Sequence, residues 1–294
     1  MIKYQMDWII TKDESGVEIK TFLSEHHISK RMLTDIKFAG GKISVDGQEV
    51  TVRYVLQEGN HLTVIFPPEP KSPTLKPEDI LLHIIYEDKD LLVINKPSNM
   101  STIPSREHPD GSLANAVYGY YRRREIDSAI HIVTRLDRDT SGLVLIAKHR
   151  HIHHLMSLQQ KKREIKRSYE AFAEGLFSVR EGKINEPIGR KETSIIEREV
   201  RSDGKTAVTH YKVIGQYGGF AHIGLVLETG RTHQIRVHMS YKGHPLLGDS
   251  LYGGSREKID RQALHCHSLS FFHPTTGEPL HFHVPLPDDM DRLL

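Results

Sequence analysis

Cysteine is nearly absent from this chain. Among 294 residues only Cys266 is one, so no disulfide can close within it. That suits a reducing compartment, and the expected location is the cytoplasm. No apolar run approaches the length of a membrane span, and Met1 to Lys12 lack the basic start and apolar middle of a secretory signal, so no membrane partner is expected. Excess charge of one sign is missing too. The formal net charge is +2 with neutral histidines, so any positive surface for a nucleic acid must be local. The chain has no internal repeat, no low-complexity segment, no phosphate-binding glycine loop and no dinucleotide fingerprint. What remains is ordinary globular material, 37% hydrophobic and 27% charged, long enough for one large domain or two ordinary ones.

Residues 10–68 read as a small unit. Ile19, Phe22 and Leu23 start one helical pattern, and Ser29 can cap a second in which Leu33, Ile36 and Phe38 face inward. Gly40-Gly41 ends that helix. Residues 42–52 then read as a hairpin around Asp46-Gly47, and Leu62 to Phe66 as a further strand. Lys30, Arg31, Lys37 and Lys42 cluster here; such clusters are usually a solvated face, but a unit this small has little room for an internal active site, which favours RNA binding. The helix pair and hairpin together resemble the ribosomal-protein S-four type RNA-binding module, and the resemblance implies that these four residues contact RNA. Four prolines between Pro67 and Pro73 mark a stiff, extended linker. The expected division is a module over residues 1–70, a linker over 71–79 and a larger domain over 80–294.

In the second unit Leu91 to Ile94 reads as a strand stopped by Asn95-Lys96-Pro97, and Ser112 caps a helix bearing Leu113, Ala116, Val117 and Tyr120 on one face. Between the apolar runs Ile130–Val133 and Leu143–Ala147 lies Arg135-Leu136-Asp137-Arg138-Asp139-Thr140-Ser141-Gly142. Alone it is a polar turn. Yet two arginines bracket a carboxylate, and a carboxylate held by cations stays ionised, fit to act as a nucleophile or a charge stabiliser. The histidines from His149 to His154 head a helix whose apolar positions are Ile152, Leu155, Met156 and Leu158; the arginine and lysine beside them would repel a cation, and no metal site is expected. Lys161, Lys162 and Arg163, followed by Lys166 and Arg167, form the densest basic run and suit a phosphodiester backbone. Ser168 to Ala173 alternates as a strand, placing Tyr169 on a face with Ala171 and Ala173, the pattern of core packing. Residues 183–204 are turn-rich. Strands follow at 207–214 and 220–227, and then a helix that Thr229 or Thr232 can cap, on which His233 and Arg236 lie together, three residues apart.

Arg135 to Gly142, Lys166 to Ala171, Thr229 to His238, Gly243 to Asp249 and Leu264 to Pro287 stand in the order and spacing of the RluA/RluD family of pseudouridine synthases, which this chain resembles over about residues 80–294. Lys96-Pro97 fits as well. The resemblance implies an α+β fold, a mixed and largely antiparallel sheet flanked by helices behind a small N-terminal RNA-binding module. It implies isomerisation of uridine to pseudouridine in RNA, ribosomal rather than transfer. The sequence is silent on oligomeric state, and a monomer is the default expectation. Carried over by motif, Asp137 and not Asp139 is the catalytic aspartate, Tyr169 stacks on the target base, and Arg236 pairs with the aspartate; Arg135, two residues from Asp137, is expected from its position to bind substrate, at a phosphate or in the space the base leaves. No cofactor or metal is needed, because the product is an isomer. Two positions depart from the pattern: Thr134 stands where a histidine is usual, and Cys266 where a small residue such as alanine is usual. Two other classes compete. A ribosome-assembly factor that binds RNA without turnover would have no need of Asp137, Tyr169 and Arg236 together. A carboxylate hydrolase of small molecules would have no need of the basic border at Lys161 to Arg167.

Overall fold

The computed structural model describes residues 4–105 and 108–294. Residues 4–66 build a four-stranded antiparallel sheet with its own core. Strand β1 (Gln5–Ile9), which the sequence reading missed, pairs with β4 (His61–Ile65), and β4 pairs in turn with β2 (Lys42–Val45), which is joined to β3 (Gln48–Glu49). The β2–β3 turn places Asp46 and Gly47 at φ of 49° and 80°, the left-handed pair that an Asp-Gly hairpin turn demands. Helices α1 (Ile19–Glu25) and α2 (Lys30–Phe38) cover one face, and the Ser29 hydroxyl accepts from Met32 N–H at 3.2 Å as the expected cap of α2.

One expectation fails on α2. Phe38 is 76% exposed, and the buried face is carried by Met32 and Ile36. Those two are four apart and stack on one side, whereas position 38 lies some 200° around the helix from Ile36.

The proline-rich stretch after Phe66 forms neither helix nor strand, but it is tied to the body of the molecule. Glu69 lies 2.5 Å from His131 Nε2 and 3.1 Å from His149 Nε2, and accepts from Arg150 N–H at 2.7 Å.

The larger part is a ten-stranded sheet. On one side, β5 (Ile84–Glu87), β6 (Leu91–Lys96), β7 (His131–Ile132) and β8 (Ser141–Ala147) are antiparallel neighbours, with α3 (Leu113–Arg123) and α4 (Arg150–Lys161) supplying core residues. Every residue of β8 is buried, as expected of a strand covered on both faces. On the other side run β9 (Lys166–Glu174), β10 (Glu181–Asn185), β13 (Val208–Gln216) and β14 (Phe220–Leu227), with β15 (Leu264–Phe272) and β16 (Pro279–His283) beyond. The turn-rich stretch 183–204 also holds the end of β10 and a small two-stranded arm, β11 (Ile188–Arg190) and β12 (Arg198–Val200); three-residue strands are too short to show alternation. Two helices complete the chain, α5 (Gln234–Tyr241) and α6 (Asp288–Asp291).

The two sides meet at a parallel pairing, where His265 and Cys266 of β15 lie against Ser141 and Gly142 of β8. The backbones approach so closely that a Cβ on Gly142, whose φ is +115°, would stand 2.3 Å from the Cys266 carbonyl oxygen. Only glycine fits there. Cys266 is wholly buried at this contact, and burial pushes its thiol up to about 11. The seam places the turn before β8 beside β9 and the loop after β14.

Candidate active site

Asp137 sits on the turn between β7 and β8, and several anchors hold that turn. Leu136 is buried and bracketed by Thr102, whose hydroxyl accepts from Leu136 N–H at 3.2 Å and donates to its carbonyl at 2.7 Å. The Arg138 carbonyl accepts from Met100 N–H and from Lys96 Nζ, each at 3.1 Å. Lys96 is fully buried and also donates to the Pro97 and Met100 carbonyls at 2.8 Å. Burial pushes its ammonium down to about 7, although Asp137 and Asp139 pull the other way. Thr140 N–H closes the turn on the Asp137 carbonyl at 3.2 Å. Thr134 is buried at the border of the opening that Asp137 also lines, and its hydroxyl accepts from Leu145 N–H at 3.0 Å, which fastens β8.

The cation that meets Asp137 comes from far along the chain, not from the arginines beside it. Arg135 is exposed, and Arg138 Nη2 donates to Asn99 at 2.5 Å. Arg236, on the first turn of α5, donates from Nη1 to Asp137 Oδ2 at 3.1 Å. Its Nε and Nη2 form a two-pronged pair with Asp249 at 2.7 and 2.8 Å. Burial alone would weaken the guanidinium's hold on its proton, but the carboxylates of Asp249 and Asp137 more than offset this, and the net shift is upward.

Helix α5 is not capped by threonine. His233 takes the N-cap position at φ +58°, a left-handed conformation that costs a non-glycine residue about 1–2 kcal/mol. Thr229 instead bonds Gln234, whose side chain also binds Arg231 N–H and the Val208 carbonyl and so pins the loop. His233 Nδ1 is 2.8 Å from the Tyr252 hydroxyl, and its Nε2 is 3.8 Å from Asp137. Burial lowers the pKa of His233, with Asp137 opposing the shift, and so favours the neutral ring. The Arg236 guanidinium lies over the Tyr252 ring at 4.9 Å.

Tyr169 is buried on β9, opposite Leu225 of β14, on the expected face with Ala171 and Ala173. Burial pushes its phenol well above the ordinary range, with the Arg167 guanidinium, 6.0 Å from the ring, opposing that only in part. Tyr169, Asp137, Arg236, Arg135 and Asp249 line one open cleft of about 890 Å³. Its polar groups converge, the arrangement expected of a ligand site.

The other basic residues singled out in the sequence lie apart. Lys161, Lys162 and Arg163 are exposed at the end of α4, next to Gln160, which lines the cleft; Arg163 pairs with Glu228 at 3.1 Å. Lys30, Arg31 and Lys37 are exposed on α2, and Lys42 on β2 lies 3.5 Å from Glu49. None of these four lines the cleft. The histidine run serves packing: the His149 ring stacks on Tyr4 at 4.2 Å, and that of His151 on Phe66 at 5.5 Å. Among the described residues no three His, Cys, Asp or Glu side chains are grouped to hold a metal ion.

Sequence reasoning did not find the parts played by Asp249, Tyr252, Arg167 and Thr102. Asp249 stood only at the end of a predicted turn, and nothing in Tyr252-Gly253-Gly254 signals a partner for His233.

Residues 90–241 match the RNA pseudouridylate synthase family. The chain is 53% identical over 276 residues to an uncharacterized RNA pseudouridine synthase, YjbO, of Bacillus subtilis (strain 168), covering 94% of this chain and 98% of that one. It is 43% identical over 266 residues to the ribosomal large subunit pseudouridine synthase D of Vibrio parahaemolyticus, covering 85% and 81%. Among solved structures, human RNA pseudouridylate synthase domain containing 1 superposes with a TM-score of 0.58 at 28% identity, over 74% of this chain and 86% of that one. The chain therefore belongs to the RNA pseudouridylate synthase family, whose members are isomerases.

Proposed function

We propose that this chain converts uridine to pseudouridine in large-subunit ribosomal RNA, with Asp137 as the catalytic carboxylate. The observation that carries the reading is the 3.1 Å contact between Arg236 and Asp137 in a cleft that also presents Tyr169. In the reaction the bond from the sugar to N1 of uracil breaks and a bond to C5 forms. C5 gives up its hydrogen and N1 gains one, so the sum is an isomerisation that needs no oxidant and no group donor. The base cannot turn while stacked and must be extruded, at a cost of a few kcal/mol. Stacking on Tyr169 offsets part of that. The raised phenol favours this stacking role over that of a base. Arg236 keeps Asp137 oriented toward the substrate, and exposed Arg135 meets a phosphate or the space the base vacates.

The ribosomal target is supported by the name of the Vibrio relative. Residues 1–70 serve as an S-four type module that carries Lys30, Arg31, Lys37 and Lys42 to structured RNA, residues 71–79 as the linker and residues 80–294 as the catalytic domain. Lys161, Lys162 and Arg163 extend the contact to the backbone. The chain acts as a monomer, in the cytoplasm.

The test is loss of tritium from C5 of labelled uridine in ribosomal and transfer RNA pools. Wild type should release it from ribosomal RNA, and Asp137→Asn should not. Release from transfer RNA alone would overturn the target, and release from neither pool the reading itself.

A further inference from the structure

A second groove, of about 580 Å³, opens beside the cleft and shares Gly230, Arg231 and Thr232 with it. We infer that this groove binds the phosphodiester backbone of the RNA strand flanking the target uridine, through Arg190, Arg198, Lys205 and Arg231. The inference rests on the reading of the chain as an enzyme acting on RNA.

The argument begins with uncompensated charge. Among the described residues none of these four cations is paired with a carboxylate. Arg198 Nη1 donates only to the carbonyls of Ile196 and Glu197, and Arg231 Nε to the carbonyl of Thr206. Arg190 and Lys205 are exposed. The acid that lines the groove, Asp203, is taken by Arg201 at 2.8 and 3.0 Å, and that guanidinium also holds Glu192 at 3.0 Å. In a protein of net charge +2, four free cations around one groove repel one another until a polyanion arrives.

The groove is also built and placed. Lys205 exchanges two backbone hydrogen bonds, each 2.9 Å, with Ile188 of β11, so the 201–205 segment lies along the arm. A Cβ on Gly204 would stand 2.6 Å from the Ile188 backbone, so the approach is as close as glycine permits. At the other end Arg198 N–H donates to the Tyr252 hydroxyl at 2.9 Å, and that hydroxyl meets His233 at 2.8 Å, beside Asp137. A strand held in the groove is thereby registered to the cleft. The same stretch carries no densely basic run in the sequence; the fold assembles the patch from four separate places.

The test uses the full chain and a Bacillus subtilis large-subunit ribosomal RNA transcript with tritium at C5 of uridine. Filter binding is measured across potassium chloride concentrations, and tritium release is followed alongside. Arg190→Glu/Lys205→Glu should weaken binding by about tenfold or more, and should flatten the slope of log affinity against log salt by about 1.4–1.8, the share of two phosphate contacts. Arg190→Gln/Lys205→Gln, which leaves less repulsion, should flatten the slope equally with a smaller loss of affinity. Lys89→Glu/Lys242→Glu, at exposed positions elsewhere, controls for net charge and should keep the wild-type slope. A wild-type slope in both groove variants, or a loss no larger than in the control, overturns the inference, as does wild-type binding that salt does not weaken. Absence of tritium release with the slope change retained would count against the proposed activity and leave the groove standing.

Discussion

Arg236 spends two nitrogens on Asp249, at 2.7 and 2.8 Å, and reaches Asp137 with the third at 3.1 Å. Asp249 is almost wholly buried and does not itself touch Asp137, so its contribution is to fix where the guanidinium points. In Asp249→Asn the guanidinium keeps an acceptor but loses its buried counter-charge, and it is free to swing. Breaking such a pair costs about 3–5 kcal/mol of stability, and a displacement on the order of 1 Å at the site costs about 100-fold in rate. The expected result is a fall in kcat near that size with KM little changed, alongside a lower unfolding midpoint in denaturant. A variant that melts early yet turns over at the wild-type kcat would assign Asp249 to scaffolding alone.

Tyr169 offers a cleaner separation of roles. Its phenol is raised by burial, so near neutral pH it holds its proton firmly. A ring needed for stacking tolerates loss of the hydroxyl, but a proton acceptor does not. Tyr169→Phe is therefore expected to stay within about tenfold of wild type in single-turnover tritium release. Tyr169→Leu should lose the stacking contribution of about 1–3 kcal/mol. Collapse of the phenylalanine variant to the level of Asp137→Asn would show that the hydroxyl takes part in the chemistry.

Local patterns made much of this fold legible. The capping box of Ser112 and Asn115 starts α3 where expected, the Asp46-Gly47 turn is present, and the alternation around Tyr169 put that ring on its face with Ala171 and Ala173. What could not be read depends on partners distant in the chain. Nothing near Gly142 announces that Cys266, on a strand more than a hundred residues later, will lie against it in a parallel pair. Phe38 continues an apolar pattern but, as the last residue of α2, it lies around the helix from the face that Met32 and Ile36 bury. The site shows the same division. Motif resemblance supplied Asp137, Tyr169 and Arg236, whereas Asp249 and the Tyr252–His233 contact needed the loop after α5 folded back onto it.

His151 makes the last of these distant contacts testable. It is 1% exposed at the seam between α4 and the N-terminal unit, with its ring on Phe66 and its Nε2 lacking a hydrogen-bond partner among the described residues. Burial pushes its pKa down to about 3, with His149, His154 and His27 nearby adding to the shift. In the unfolded chain the ring titrates near about 6.5. Between those values the unfolded state binds a proton that the folded state refuses, so stability must fall as pH drops through that window. At pH 5 the difference amounts to about 2 kcal/mol, from roughly 1.5 pH units at about 1.4 kcal/mol each. His149, pushed to about 4 by burial, contributes with the same sign and remains in either protein. Urea unfolding at pH 8 and pH 5 should therefore show His151→Leu losing about 2 kcal/mol less than wild type on acidification. Equal losses in the two proteins would mean that the imidazole already takes up its proton in the folded state, which requires water to enter the seam between the N-terminal unit and α4.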